Sequence, residues 1–192
     1  MTPNISTITK DEIAQLTIEE FPGRIIVVDT VRDADKAVQY LSLFPLIGFD
    51  TETRPSFKKG LRYKVALMQL ATDEACFLFR LNRIGFPPSL KELLTSEQHT
   101  KIGLSLRDDF CAIRRSAEMQ LENFVDLQQV VGEYGIEDSS LQKIYAILFG
   151  KRITKGQQLS NWEADVLTDA QKRYAALDAW ACLKIYNRLK EE

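Results

Sequence analysis

Histidine is almost missing from this chain, with His99 the only one in 192 residues. A serine–histidine hydrolase or a histidine-bound zinc centre would have to be built on that ring, and no motif supports either. His99, in a polar stretch before an apolar run, reads as an exposed loop residue. Cysteine is scarce too: Cys76, Cys111 and Cys182 are scattered, odd in number and without CxxC spacing. They exclude a disulfide frame or thiolate zinc site and read as buried thiols in a reducing compartment. No apolar run approaches membrane-span length, and the first residues, MTPNISTITKDEI, lack a basic-then-apolar signal layout. A cytoplasmic protein with no membrane role is expected. Neither charge dominates, with 25 Lys and Arg against 27 Asp and Glu and a net charge of −2. That argues against a nonspecific coat for polyanions. It leaves an enzyme acting on nucleic acid open, because clustered acidic ligands lower the charge themselves. No repeat, low-complexity segment or linker interrupts the chain. One domain over residues 1–192, with a core from about 24 to 189, is the simplest organisation and needs no disulfides.

What is present is a regular patterning of apolar residues. Residues 9–20 suggest a short helix, with Thr9 and Glu12 spaced as a capping box. Residues 24–29 read as a strand and 33–44 as a helix. Three strands follow at 46–52, 65–71 and 75–81, the last two joined by the polar turn Thr72-Asp73-Glu74. Pro87-Pro88 stops that run, and a helix starts at 89. The remainder alternates: a strand at 101–105, a helix at 107–117, a short strand at 124–126, and a helix at 139–149 ended by Gly150. The last helix opens on a second capping box, Thr168 with Gln171, and runs to about 191. The order implies an α/β fold with a mixed sheet covered by helices on both faces.

At the end of the apolar run Leu46-Ile47-Gly48-Phe49 stand Asp50-Thr51-Glu52. Carboxylates two residues apart on a strand share a face, roughly 7 Å apart along it. Like charges leaving a buried strand on one side repel and are costly to desolvate, so a divalent metal between them is one reading. A strand fraying into a polar turn is the other. On the last helix Asp178 falls on the apolar stripe of Leu177, Ala181 and Ile185, one turn past Tyr174. A carboxylate on a packing stripe needs a salt bridge or a metal. Asp108-Asp109 stand at a strand-to-helix junction, where one aspartate suffices as a cap and the second is surplus. Asp126 alone reads as a turn residue. An all-carboxylate set suits Mg²⁺ or Mn²⁺ rather than zinc. Two such ions about 4 Å apart are a known device for phosphodiester hydrolysis.

Three segments in order carry a resemblance: Phe49-Asp50-Thr51-Glu52; Lys101-Ile102-Gly103 with Asp109 six residues past the glycine; and Gln171 to Ala179 with Tyr174 four residues before Asp178. Together they resemble the DEDD superfamily of 3′–5′ exonucleases on the ribonuclease-H-like (DnaQ-like) fold. The Tyr-x-x-x-Asp spacing, with Leu159-Ser160-Asn161-Trp162-Glu163 upstream, is similar to the tyrosine-type branch that includes ribonuclease D and the Werner-type exonuclease. The resemblance covers about Arg24 to Leu189. It implies that Asp50, Glu52 and Asp178 hold the ion that activates water. Asp50 would also bridge to a second ion that stabilises the leaving 3′ oxygen, with Asp109 supporting it through water. Tyr174 would hydrogen-bond the attacking water, and nucleoside 5′-monophosphates would leave one at a time. The spacing from Gly103 selects Asp109 as the second-motif aspartate and leaves Asp108 as the helix cap. The chain stops soon after the third motif, so a stand-alone exonuclease domain is expected, without the further helical domains of ribonuclease D or a helicase region.

The substrate implied is nucleic acid with a 3′ end, single-stranded or frayed, with DNA slightly favoured over RNA. Arg54, Lys58, Lys59, Arg62 and Lys64, interleaved with Phe57 and Tyr63, suit a single strand by charge and stacking. The same residues also fit a solvated loop. Lys155, at the end of Lys151-Arg152-Ile153-Thr154-Lys155, is a further candidate contact, and so is Thr51 between the first two carboxylates. Trp162 reads as core. A catalytically silent nucleic-acid-binding module on the same fold is the rival, as is a phosphatase for small esters.

Overall fold

The computed structural model describes residues 5–57 and 60–191. In chain order the elements are α1 (Lys10–Ala14), β1 (Thr17–Ile18), β2 (Arg24–Val28), α2 (Val31–Leu41), β3 (Leu46–Thr53), β4 (Val65–Ala71) and β5 (Ala75–Phe79). They continue with α3 (Leu81–Ile84), α4 (Pro88–Thr95), β6 (Thr100–Gly103), α5 (Arg107–Ser116), β7 (Phe124–Asp126) and α6 (Leu127–Val130). A 3₁₀ turn at Val131–Tyr134 leads to α7 (Leu141–Phe149), β8 (Lys151–Arg152) and α8 (Asp169–Lys190).

Six strands form one mixed sheet in the order β2-β5-β4-β3-β6-β7. The central three are an antiparallel meander, while β2, β6 and β7 join in parallel. Every residue of β4 is buried, as an interior strand covered on both sides requires. Alternate residues serve opposite layers. Leu67 and Ala71 pack with α7 and α8, whereas Met68 and Leu70 pack with α2, α4 and α5. This is the ribonuclease-H-like exonuclease architecture, with helices on both faces.

The layer that matters most is α8 on β3. A Cβ on Gly48 would lie 2.1 Å from the Ala179 carbonyl oxygen, so only glycine lets the helix backbone sit this close. That contact draws the middle of α8 down onto β3, one residue pair before Asp50. Both predicted capping boxes are formed, at Thr9–Glu12 and Thr168–Gln171, and Gly150 ends α7 in the left-handed region at φ 61°.

Some expectations need correction. Residues 9–20 are not one helix: α1 stops at Ala14 and the β-branched Thr17-Ile18 pair with Lys151-Arg152 as a parallel two-stranded ribbon. The helix expected at 33–44 starts earlier, on the Thr30 cap, and ends at Leu41. Strand β5 ends at Phe79, because Arg80 turns inward and the chain coils into α3. Cys76 and Cys182 are buried, but Cys111 is exposed on the outer side of α5. His99 is half-buried, its Nδ1 at 2.9 Å from the Phe44 carbonyl. Among the described residues no helix is long and apolar enough to cross a membrane.

Candidate active site

Strand alternation aims Asp50 and Glu52 at α8, since their partners across the ladder are Gln69 and Leu67 on that face. From above, α8 brings Asp178. One carboxylate oxygen from each of Asp50, Glu52 and Asp178 lies within 4.8 Å of the other two. Glu52 and Asp178 are each only 8% exposed, while Asp50 keeps an edge open to the cleft. No lysine or arginine among the described residues forms an ion pair with any of them. The salt bridge that would have made Asp178 purely structural therefore has no partner here.

The electrostatic consequence follows from burial and like charge. Burial lifts the Asp50 carboxyl well above its ordinary range, and the charges of Asp178 and Asp109 add to this. Burial, then Asp50, Asp178 and Asp109, push Glu52 up to about 10. Asp178 rises to about 7 through burial, held down in part by the Tyr174 hydroxyl and by the Lys155 charge. Tyr174 is itself pushed up, by burial first and then by Asp178 and Glu52, so its phenol stays protonated. Its ring leans on the fully buried Trp162, centroids 6.0 Å apart, which makes Trp162 core, as the sequence suggested.

Asp109 is positioned differently. It sits in the first turn of α5 and accepts a hydrogen bond from the Thr51 hydroxyl, which points to the opposite face of β3 from Asp50. Burial raises it to about 6, partly offset by Thr51. It is near enough to be felt by Asp50 and Glu52 but lies outside the close trio. Asp108 is exposed and caps nothing: the N-cap position of α5 is Leu106, with no side-chain cap bond. The expected cap is supplied from a distance by Asp126, which accepts from Ser105 N–H at 2.8 Å and Leu106 N–H at 2.9 Å. Asp126, read as a turn residue, thus fixes the loop that presents Asp109. Gly103 permits that loop, since a Cβ there would meet Leu106 at 2.5 Å.

The trio opens into a cleft of about 370 Å³ that also takes in Thr51, Tyr174 and Lys155. Its far wall, missed by sequence reasoning, is Gln128, Ser139, Ser140, Gln142 and Gln158. These are ordinary polar loop and helix-end residues that only the fold gathers, and nothing in their spacing announces it. Arg62 lies elsewhere, in a second cleft of about 800 Å³ with Tyr63, Lys64 and Lys91. Arg54 is engaged by Glu163 at 3.4 Å and lies over the Tyr63 ring. Lys58 and Lys59 lie outside the described residues.

Comparison with known proteins agrees with this geometry. Residues 25–192 match the family model described as 3′–5′ exonuclease. The mouse bifunctional 3′–5′ exonuclease/ATP-dependent helicase WRN is 35% identical over 180 residues, covering 88% of this chain and 13% of that protein. An Arabidopsis thaliana 3′–5′ exonuclease is 29% identical over 187 residues, covering 89% of this chain and 65% of that protein. The chain thus spans less than two thirds of the length of either relative. Among solved structures, Trypanosoma brucei RNase D in complex with RNA U12 superposes with a TM-score of 0.79 at 21% identity, over 90% of this chain and 64% of that one. That last likeness concerns the fold alone. From the family model, which spans nearly the whole sequence, it follows that the chain belongs to the 3′–5′ exonuclease family of the DEDD superfamily.

Proposed function

We propose that this exonuclease degrades single-stranded or frayed nucleic acid from the 3′ end by a two-cation mechanism at Asp50, Glu52 and Asp178, releasing nucleoside 5′-monophosphates. The observation that carries the reading is the trio itself: three carboxylates within 4.8 Å of one another, two of them buried, with no ion pair to a lysine or arginine among the described residues. Such a set is unfavourable alone and matches the donor preference of a hard divalent cation, Mg²⁺ or Mn²⁺. Bound cations would supply Lewis-acid stabilisation of the attacking and leaving oxygens.

The chain's own groups have distinct tasks in this reading. Asp50, Glu52 and Asp178 would hold the cations, with Asp50 at the edge open to the cleft and Glu52 and Asp178 more enclosed. Thr51 fixes Asp109 by its hydroxyl, which assigns Thr51 to carboxylate placement ahead of direct substrate contact. The Tyr174 phenol keeps its proton and donates a hydrogen bond, so it would orient the attacking water and not deprotonate it. Lys155 stands at the mouth, close enough to lower Asp178, where it would meet a substrate phosphate. The uncharged wall offers amides and hydroxyls to the terminal sugar and base. We put DNA slightly ahead of RNA as the polymer, while these amides and hydroxyls could meet either sugar. The T. brucei RNase D structure holds RNA, which makes RNA the second arm of the test.

The experiment is digestion of 5′-labelled DNA and RNA oligonucleotides with Mg²⁺, Mn²⁺ or EDTA. A descending ladder with either cation and none with EDTA is expected. Undiminished digestion in EDTA, or by Asp178→Ala, would overturn the cation mechanism. The ratio of rates on the two polymers tests the DNA preference.

A further inference from the structure

Directly across the ladder from Asp50 stands Gln69, on β4. Residues opposite one another on an antiparallel pair have their Cβ atoms about 5 Å apart on the same face. Gln69 is 0% exposed, and neither its Oε1 nor its Nε2 has a hydrogen-bond partner among the described residues. The other buried amide, Gln171, is bonded to Ser160 and Asn161. The buried Lys101 and Thr72 are bonded as well. Unpartnered nitrogens on Trp162 and Trp180 are carried by large apolar rings whose burial outweighs them. Gln69 has only two methylenes to offset its amide, so apolar burial does not account for it.

Its surroundings name the group it serves. Leu67 and Ala71 flank it on β4, and Leu78 faces it from β5, all belonging to the apolar layer under α8. Leucine would suit that environment better on every side but one. The exception is Asp50. We propose that Gln69 is a positioning residue for the exonuclease site: its carboxamide donates to the Asp50 carboxylate when the site is loaded with divalent cation. It thereby selects which Asp50 oxygen is left to face the ions. This inference rests on the cation reading of the trio. It adds a determinant outside the three family motifs, on a strand that contributes no carboxylate.

The test uses Gln69→Leu and Gln69→Met in the full chain. Both remove the donor at nearly constant volume, so the metal-free protein should melt at the same or a higher temperature. Mn²⁺ affinity by calorimetry, and kcat on a single strand, should each fall about 10–100-fold. Raised melting with unchanged Mn²⁺ affinity and kcat would make Gln69 merely an unsatisfied core amide and overturn the proposal. A second measurement needs no variant. The Gln69 side-chain amide resonance of ¹⁵N-labelled wild type should shift on saturation with Mg²⁺, and one that stays put while Mg²⁺ binds also overturns it. If wild type binds neither cation, the reading of the trio fails together with the inference. If Asp50→Asn abolishes binding while the Gln69 variants leave it intact, the inference fails alone.

Discussion

Two glutamates in this molecule are almost equally buried and have opposite fates. Glu19 is 6% exposed and Glu52 8%. Glu19 accepts from the Tyr145 hydroxyl at 2.6 Å and from Lys151 at 2.9 Å, with Lys184 at 3.2 Å. Burial alone would raise it, yet Tyr145 and the two lysines outweigh that and bring it down to about 2. Burial raises Glu52 first, and with no donor or cation to offset it the like charges of Asp50, Asp178 and Asp109 add to this, taking it up to about 10. The first is a finished interaction that fastens the N-terminal ribbon to α7 and α8. The second is an unfinished one, stable only when protonated or when a cation is supplied. Burial therefore does not mark a functional carboxylate; the sign of what surrounds it does.

The widest break in the comparison is Glu52→Gln. It removes a carboxyl that must take up a proton on folding at neutral pH, so the metal-free protein should melt higher, while turnover falls about 10³-fold, a loss of ~4 kcal/mol of barrier lowering. Thermal melting in EDTA beside single-turnover digestion would check both halves. A lower melting temperature would mean that Glu52 contributes to the fold as Glu19 does.

A matched pair of tyrosines sharpens the contrast. Tyr145 donates to Glu19 and Tyr174 interacts with Asp178. Tyr174→Phe should lower kcat about 10–100-fold, no more than the smallest general acid–base effects because the phenol only orients the water, with cation affinity nearly intact. Tyr145→Phe should instead cost about 1–2 kcal/mol of stability, by leaving part of the Glu19 charge unbonded, with kcat per folded molecule unchanged. Denaturant melts and rates on both variants give the cross. A drop in stability for Tyr174→Phe alone would reverse the assignments.

The two sites also predict opposite responses to pH. Glu19 has a depressed folded pKa, so its contribution is present above about 4.5 and is lost as pH falls toward about 2. Asp178 and Glu52 have raised folded pKa values, about 7 and about 10. Their protonated forms favour the fold at low pH, and stability is lost as pH rises through those values. Melting of the metal-free protein should therefore decline from pH 5 to 9. Saturating Mg²⁺ should flatten that decline, and Glu19→Gln should leave it unchanged. A flat profile without cation would mean that the trio does not repel as its geometry requires.

Much of this was legible from the residues. Asp178 stood out because a carboxylate on an apolar helical stripe needs a salt bridge or a metal, and Asp50 and Glu52 because strand alternation puts them on one face. The meander, α7 and α8 followed from local patterning and caps. The Asp126 role was not legible, because the N–H groups it accepts from lie 20 and 21 residues earlier. The β1–β8 ribbon was hidden for the same reason, being two residues long on each side and held by Glu19 from 126 residues away across to Tyr145. The glutamine and serine wall of the cleft carries no spacing at all. Long-range partners of single polar side chains are what a one-dimensional pattern does not encode.

The smallest expected effect concerns the positive charges that sequence grouped together and the fold separates. Lys155 lies at the carboxylate cleft, whereas Arg62 lines a different one. If Lys155 meets a substrate phosphate, Lys155→Ala should raise KM a few-fold, about 1 kcal/mol, and reduce the slope of log affinity against log salt by about 0.7 on a single strand. Arg62→Ala should do neither on a strand only a few nucleotides long, because such a strand ends before it leaves the carboxylate cleft. On a longer strand Arg62→Ala should begin to weaken binding only if the nucleic acid runs on into the second cleft. Fluorescence-anisotropy titrations in Ca²⁺ at several salt concentrations, with short and long oligonucleotides, separate these outcomes. An equal loss from both variants on the short strand would show that the two clefts act as one binding surface, with the positive charges pooled as their order along the chain suggested.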